Sequence, residues 1–197
     1  MIKTKLPTLL SLDRLCNLVM YSHRCAAQHP QGIIAEFGVY KGGSLEALAR
    51  TNPDRAVYGI DSFQGLPVAN EHDYHVEGEF ADVDHLGMVG YFKVMYPNVR
   101  ILKGFSPSVF GFFDEHCKFS FVHLDVDLYQ SIKDALEFFW DRMLPGGHIL
   151  FDDYGFTSTP GVKKAIEEWL PGKELKFAGQ LAYPDGDLMK QYLIINS

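Results

Sequence analysis

The stretch that decides the fold is "GIIAEFGVYKGGSLEALA", residues 32–49. Its first seven residues form a short, nearly uninterrupted apolar run, the signature of a buried strand. Gly38, Gly42 and Gly43 then permit close backbone approach and dihedrals closed to other residues. Ser44 is placed to cap a helix carried by Leu45, Leu48 and Ala49. Strand, glycine-rich turn and helix make the repeating unit of a parallel sheet covered by helices.

The alternation continues along the chain. "AVYGID" (56–61), "VRILKG" (99–104) and "FSFVHLD" (119–125) read as further strands. "GGHILFDD" (146–153) is a fifth, entered through a turn at Pro145-Gly146-Gly147. Leu128, Ile132, Ala135, Leu136, Phe139 and Met143 follow helical spacing, and Thr159-Pro160 reads as N-cap and first position of a later helix. Residues 8–29 read as an N-terminal helix. "ELKFAGQ" and "LMKQYLIIN" read as two strands joined at Pro184-Asp185-Gly186, an antiparallel hairpin closing a mostly parallel sheet. Residues 1–197 are expected to form one domain. The irregular stretch 64–80, "QGLPVANEHDYHVEGEF", exceeds an ordinary connection and is a candidate lid.

Composition narrows the partners. The chain has 197 residues, 47% apolar and 22% charged, with a net charge of −7 and no basic stripe. Nucleic acid is therefore not the expected partner, because phosphate contacts need clustered cations. Cys16, Cys25 and Cys117 are widely spaced without a C-x-x-C pair, which suits a reducing, cytoplasmic setting. No apolar run approaches the ~18 residues of a membrane span, so no membrane partner is expected. A homo-oligomer is left open.

In an open α/β sheet, ligands bind beyond the carboxyl ends of the strands. Here those positions are Glu36, Asp61, Gly104, Asp125, Asp152 and Asp153, five of the six acidic. The glycine loop lacks dinucleotide spacing, and Glu36 would repel a pyrophosphate. A carboxylate there suits a ligand with an ammonium group and no phosphate, such as S-adenosylmethionine. Asp61 can accept from ribose hydroxyls, with Phe63 against an adenine. Candidate cofactor contacts are Glu36, Gly38, Tyr40, Gly43, Ser44, Asp61, Ser62, Phe63 and Gly104.

Asp125, Asp127, Asp152 and Asp153 should meet in one crevice, because the fourth and fifth strands are expected to be neighbours. Like charges that close stay partly protonated unless a cation joins them, and a hard divalent ion such as Mg²⁺ fits oxygen donors. Residues two apart on a strand are ~7 Å apart, so Asp125 and Asp127 need not share the ion. The bland alternative has Asp127 capping the next helix and Asp152-Asp153 beginning a solvated turn. His123 and His148 read as core histidines, Tyr154 as a neighbour of the site, and Glu71, His72, Asp73 and His75 as a polar loop.

"AEFGVYKGGSLEALA", "YGIDSFQGLP", "ILKGF", "HLDVDLYQSIKDALEFFW", "PGGHILFDDYG" and "GVKKAIEEW" occur in order over about residues 33–170. Together they resemble the macrocin O-methyltransferase family of metal-dependent sugar O-methyltransferases. The resemblance implies a class I methyltransferase, Rossmann-like fold and S-adenosylmethionine as methyl donor. It implies a divalent metal held by Asp125, Asp152 and Asp153, with Asp127 as general base, and a sugar, vicinal-diol or catechol-like hydroxyl as acceptor. Two departures stand out. "GFSPSVF" replaces the family's usual Gly-x-Phe-x-Asp-Thr after the third strand, and less sequence precedes the first strand, which implies a more open site. The rival readings are a phosphotransferase of haloacid dehalogenase type, a metal-dependent glycosyltransferase, and a non-catalytic binding module. The first leaves Glu36 and Asp61 without a role.

Overall fold

A computed structural model describes residues 3–173, 175–182 and 188–196. Seven strands run β1 (Ile33–Phe37), β2 (Val57–Asp61), β3 (Val99–Lys103), β4 (Phe119–Leu124), β5 (Met143–Phe151), β6 (Leu175–Ala182) and β7 (Leu188–Ile195). They form one sheet in the order β3-β2-β1-β4-β5-β7-β6. The first five pair in parallel, and β7 joins β5 and β6 antiparallel. The expected α/β class I methyltransferase architecture with a closing hairpin is therefore present; the turn at 184–186 lies outside the described residues.

Two apolar cores lie on the two faces. One packs α4 (Tyr129–Phe139) and α5 (Pro160–Trp169) through Ile132, Leu136, Phe139, Val162 and Ile166. The other packs α1 (Leu12–Gln28), α2 (Gly43–Thr51) and α3 (His85–Met95) through Leu15, Leu18, Leu45, Leu48 and Phe92. Among the described residues no helix is long and apolar enough to cross a membrane.

Several local readings change. α1 starts at Leu12, not residue 8, because Ser11 caps it by accepting from the Arg14 amide. The cap of α2 is Gly42 in a left-handed conformation, and Ser44 lies inside the first turn. Pro145-Gly146-Gly147 is not a turn ahead of β5: the strand already pairs at Met143, and a bulge there lets five positions of β5 span two of β4. α3 escaped the sequence reading because its helical face is thin. It carries Gly87 and Gly90 and buries only Met88 and Phe92.

Ahead of α1, residues 5–10 form an extended strap across α2. The Gly43 amide donates to the Pro7 carbonyl at 3.0 Å, and a Cβ at Gly43 would sit 2.6 Å from that oxygen. Glu46 anchors the strap: its carboxylate accepts from the Lys5 and Leu6 amides at 2.7 and 2.9 Å, and from the Tyr91 and Tyr96 hydroxyls at 2.9 and 3.2 Å. Glu46→Ala strands all four donors. It is expected to cost about 3 kcal/mol, read as a lower Tm and faster proteolysis near residues 5–10. An unchanged Tm would contradict the anchoring role.

Candidate active site

The sheet reverses its order between β1 and β4, so their carboxyl ends flank a crevice. The ladder carries the acids to that edge: the Asp125 amide donates to the Phe37 carbonyl at 2.9 Å, and the Asp152 amide to the Leu124 carbonyl at 3.0 Å. A pocket of about 280 Å³ opens there. Gly38, Tyr40, Ser44, Asp61, Ser62, Gly104, Asp125, Asp127 and Asp153 line it. From outside the sheet, the strap adds Pro7 to Leu10, α1 adds Arg14, and the 64–80 loop adds Leu66, His75 and Phe80.

Four non-glycine residues adopt positive φ: Tyr40 (49°), Phe63 (51°), Phe80 (64°) and Asp127 (59°). Such strain concentrates at functional sites. Three of the four were singled out from sequence, and Tyr40, Phe80 and Asp127 face the pocket.

Asp61 is pinned from behind. Its Oδ2 accepts from the Val39 and Tyr40 amides at 2.8 and 2.9 Å, and its Oδ1 from the Phe63 amide at 2.7 Å. With two acceptor sites per oxygen, Oδ1 keeps one for a ligand. Phe63 is buried and stacks on His85, ring centroids 4.5 Å apart, so its ring is not on the pocket wall.

Glu36 also lies off the wall, fully buried beneath it. Its Oε1 pairs with His123 Nδ1 at 2.9 Å, and its Oε2 has no hydrogen-bond partner among the described residues. Burial raises its pKa, offset in part by His123 and the Ser44 hydroxyl. On its other side, His123 Nε2 lies 3.6 Å from Asp152 Oδ1. Burial opposes the imidazolium, but Asp152 and Glu36 outweigh it and push the pKa up to about 10. His123 thus bridges two acids, Glu36 and Asp152, and is not plain core packing. His148 fits the structural reading, against the Gly146 carbonyl and Cys25 Sγ.

The four crevice acids differ in what meets them. Asp152 is fully buried and gripped by Arg14: Nε donates to Oδ1 at 3.1 Å, and Nη2 pairs with Oδ2. Burial opposes its charge, yet His123 and Arg14 hold the carboxyl below its usual range. Asp125 and Asp153 have no ion-pair partner among the described residues. Burial and the neighbouring carboxylates raise both well above the usual range. The Asp153 carboxylate accepts from the Asp127 amide at 3.3 Å. Donor atoms of His123, Asp125 and Asp152 lie within 4.8 Å of one another, close enough to share an ion.

Asp127 does not cap α4. The Tyr129 amide donates instead to Asp73 of the 64–80 loop at 2.9 Å, which docks that loop on the helix start. This leaves Asp127 facing the pocket, where burial pushes its carboxyl up to about 6, with His75 partly opposing. His75 Nε2 lies 3.9 Å from Asp127 Oδ1, and its Nδ1 meets Glu79 Oε2 at 2.5 Å. Sequence reading passed over this pair and over Arg14. A histidine and a glutamate four apart in a polar loop carry no strand-end signal, and Arg14 belongs to an ordinary amphipathic helix.

The family model for macrocin O-methyltransferases matches residues 6–178. An O-methyltransferase of Streptomyces olivaceus acting on the 4'-hydroxyl of a rhamnosyl-tetracenomycin is 30% identical over 77% of this chain and 64% of its own length. The chain thus spans about two thirds of that relative. The demethyldecarbamoylnovobiocin O-methyltransferase of Streptomyces niveus is 25% identical over 82% of this chain and 67% of its own. Among solved structures, a calicheamicin methyltransferase superposes with a TM-score of 0.73 at 24% identity, covering 94% of this chain and 80% of that one. The matched span runs from the strap that walls the pocket to the far side of the strand-end acids, and the chain belongs to the macrocin O-methyltransferase family.

Proposed function

We propose that the protein is a divalent-metal-assisted O-methyltransferase that moves a methyl group from S-adenosylmethionine to a hydroxyl of a sugar or similar vicinal-diol molecule. The observation that carries this reading is the unequal treatment of the crevice acids: half-buried Asp125 and buried Asp153 line the pocket wall, and neither has an ion-pair partner among the described residues. An all-oxygen, charge-deficient donor set is what a hard ion such as Mg²⁺ requires. The relatives' sugar and natural-product hydroxyl acceptors set the expected substrate class.

The donor suits the other half of the pocket. Gly38 lets the β1 turn lie flat against Asp125, and Ser44, Ser62 and the open site on Asp61 offer polar contacts. Glu36, buried beneath this wall, supports it from behind through its pairing with His123. S-adenosylmethionine supplies an electrophilic methyl group, and a bound divalent ion makes an acceptor hydroxyl more acidic. The protein's own part is to orient and to take a proton. Asp127 Oδ is placed at the pocket wall to accept the hydroxyl proton as the oxygen attacks and the methyl group leaves the sulfonium as S-adenosylhomocysteine. His75 and Glu79, held by the docked loop, flank it. The loop and strap contribute to the pocket wall.

Calorimetry with S-adenosylhomocysteine tests the cofactor half. Binding is expected, and Asp61→Asn should weaken it at least about tenfold, because the amides that shape the turn lose a charged acceptor. Absence of binding to the wild-type protein would overturn the reading and reopen the phosphotransferase alternative.

A further inference from the structure

The 64–80 loop brings an imidazole–carboxylate pair to Asp127, and it is held at both ends. At its base the Leu66 amide donates to the Glu79 carbonyl at 2.8 Å and the Gly78 amide to the Leu66 carbonyl at 3.0 Å. At its far side Asp73 Oδ1 accepts from the Tyr129 amide at 2.9 Å, and Gly161 leaves room for that carboxylate, since a Cβ there would collide with it. Between these anchors His75 reaches the pocket wall. Its Nδ1 meets Glu79 Oε2 at 2.5 Å, and its Nε2 lies 3.9 Å from Asp127 Oδ1. Side-chain exposure is 21% at Asp127, 20% at His75 and 39% at Glu79, so the line through the three runs from the pocket toward solvent.

Methyl transfer to a hydroxyl releases one proton. The acceptor O–H bond breaks as the O–CH3 bond forms, and the S–CH3 bond breaks with its electron pair left on sulfur. Once Asp127 holds that proton it cannot serve again until the proton has left, and bound substrates occupy its pocket side. A histidine suits the next step, because it takes a proton at one ring nitrogen and releases one from the other. Glu79 accepts from Nδ1–H, which sets the tautomer whose lone pair is on Nε2, the atom facing Asp127. The gap to Asp127 exceeds a hydrogen bond, and a shift of about 1 Å in either side chain closes it, as happens when an active site fills. Resting on the methyl-transfer reading above, we propose that His75 and Glu79 form the proton exit for Asp127. The proton passes from Asp127 Oδ1 to His75 Nε2 while the Nδ1 proton passes to Glu79 Oε2, and from there to water. His75 acts through Asp127 and is a positioning residue.

Initial rates of methyl transfer from labelled S-adenosylmethionine test this, with Mg²⁺ present and, as acceptor, whichever of a panel of vicinal-diol glycosides the wild type turns over fastest. His75→Ala is expected to lower kcat about thirtyfold, while KM for the glycoside and affinity for S-adenosylhomocysteine stay within about threefold. His75→Gln keeps a donor of similar reach but cannot take a proton at one atom and release one from another. It should therefore stay within about threefold of His75→Ala. Added to Asp127→Asn, His75→Ala should cost nothing further, because no proton is left to pass. Near-wild-type kcat in His75→Ala, recovery in His75→Gln, or losses that multiply in the double variant would each overturn the proposal. A loss carried in KM alone would make the ring a piece of pocket wall and would overturn it too. If His75→Ala fails to fold, judged by circular dichroism, His75→Gln takes its place in the same cycle with Asp127→Asn. A wild-type protein that methylates no glycoside of the panel defeats the methyl-transfer reading itself, an outcome distinct from the others.

Discussion

Asp127→Asn is expected to lower kcat by about 10²–10⁴ while leaving S-adenosylhomocysteine affinity unchanged. Asparagine is the informative replacement, because it tolerates the left-handed backbone that Asp127 adopts at φ 59°. Any loss then reports on the carboxylate and not on the turn. The same variant carries a stability signature. Burial raises the Asp127 pKa from 3.8 to about 6, so the folded ion-free protein disfavours the charged form. The resulting penalty builds as pH rises from about 4 to about 6, is fully present above that, and is absent below about 4, where the group is protonated in folded and unfolded chains alike. Asp127→Asn should therefore raise Tm at pH near 8 and leave it unchanged near pH 4. Lost turnover with gained stability is the mark of a residue kept for chemistry. A variant with full kcat would remove Asp127 from the base role.

Gly38→Ala is expected to be the most disruptive single-methyl change in the site. A Cβ at residue 38 would lie 1.6 Å from the Asp125 carbonyl oxygen, and φ is +97° there. No rotamer relieves this, because both partners are backbone of adjacent strands. The β1 turn and the end of β4 would have to part, at roughly 3 kcal/mol or more, and Asp125 and Asp127 would move with them. Circular dichroism melts and S-adenosylhomocysteine titration read the two consequences, and a variant of wild-type Tm and affinity would contradict the close approach.

The sequence made the sheet legible because its strands are short apolar runs that end in acids. Ile34, Phe121 and Leu150 are buried in one core and Ala35, Val122 and Ile149 in the other, so continuous hydrophobicity correctly signalled strands covered on both faces. The pocket-lining acids were legible for the same reason: Asp61, Asp125 and Asp153 sit where apolar runs stop. What stayed hidden depends on contacts far apart in the chain. Arg14 meets Asp152 across 138 residues, and Glu46 holds Lys5 across 41. Neither pairing leaves a periodic trace. Phe63 was assigned to a ligand from its place after β2, but His85, on a helix the sequence did not announce, covers its ring. Glu36 was placed correctly at a strand end; its depth was not legible, because that depends on His123 one strand over. The strap and the docked 64–80 loop that wall the pocket were not legible either, because both are held by contacts distant in sequence.

The most direct test of the central claim is methyl transfer from isotope-labelled S-adenosylmethionine to a panel of glycosides bearing vicinal hydroxyls, with Mg²⁺, with excess EDTA, and with Mg²⁺ restored. The account predicts label on an acceptor oxygen with Mg²⁺, loss of at least about a hundredfold in EDTA, and recovery on restoring the ion. Full transfer in excess EDTA would contradict it.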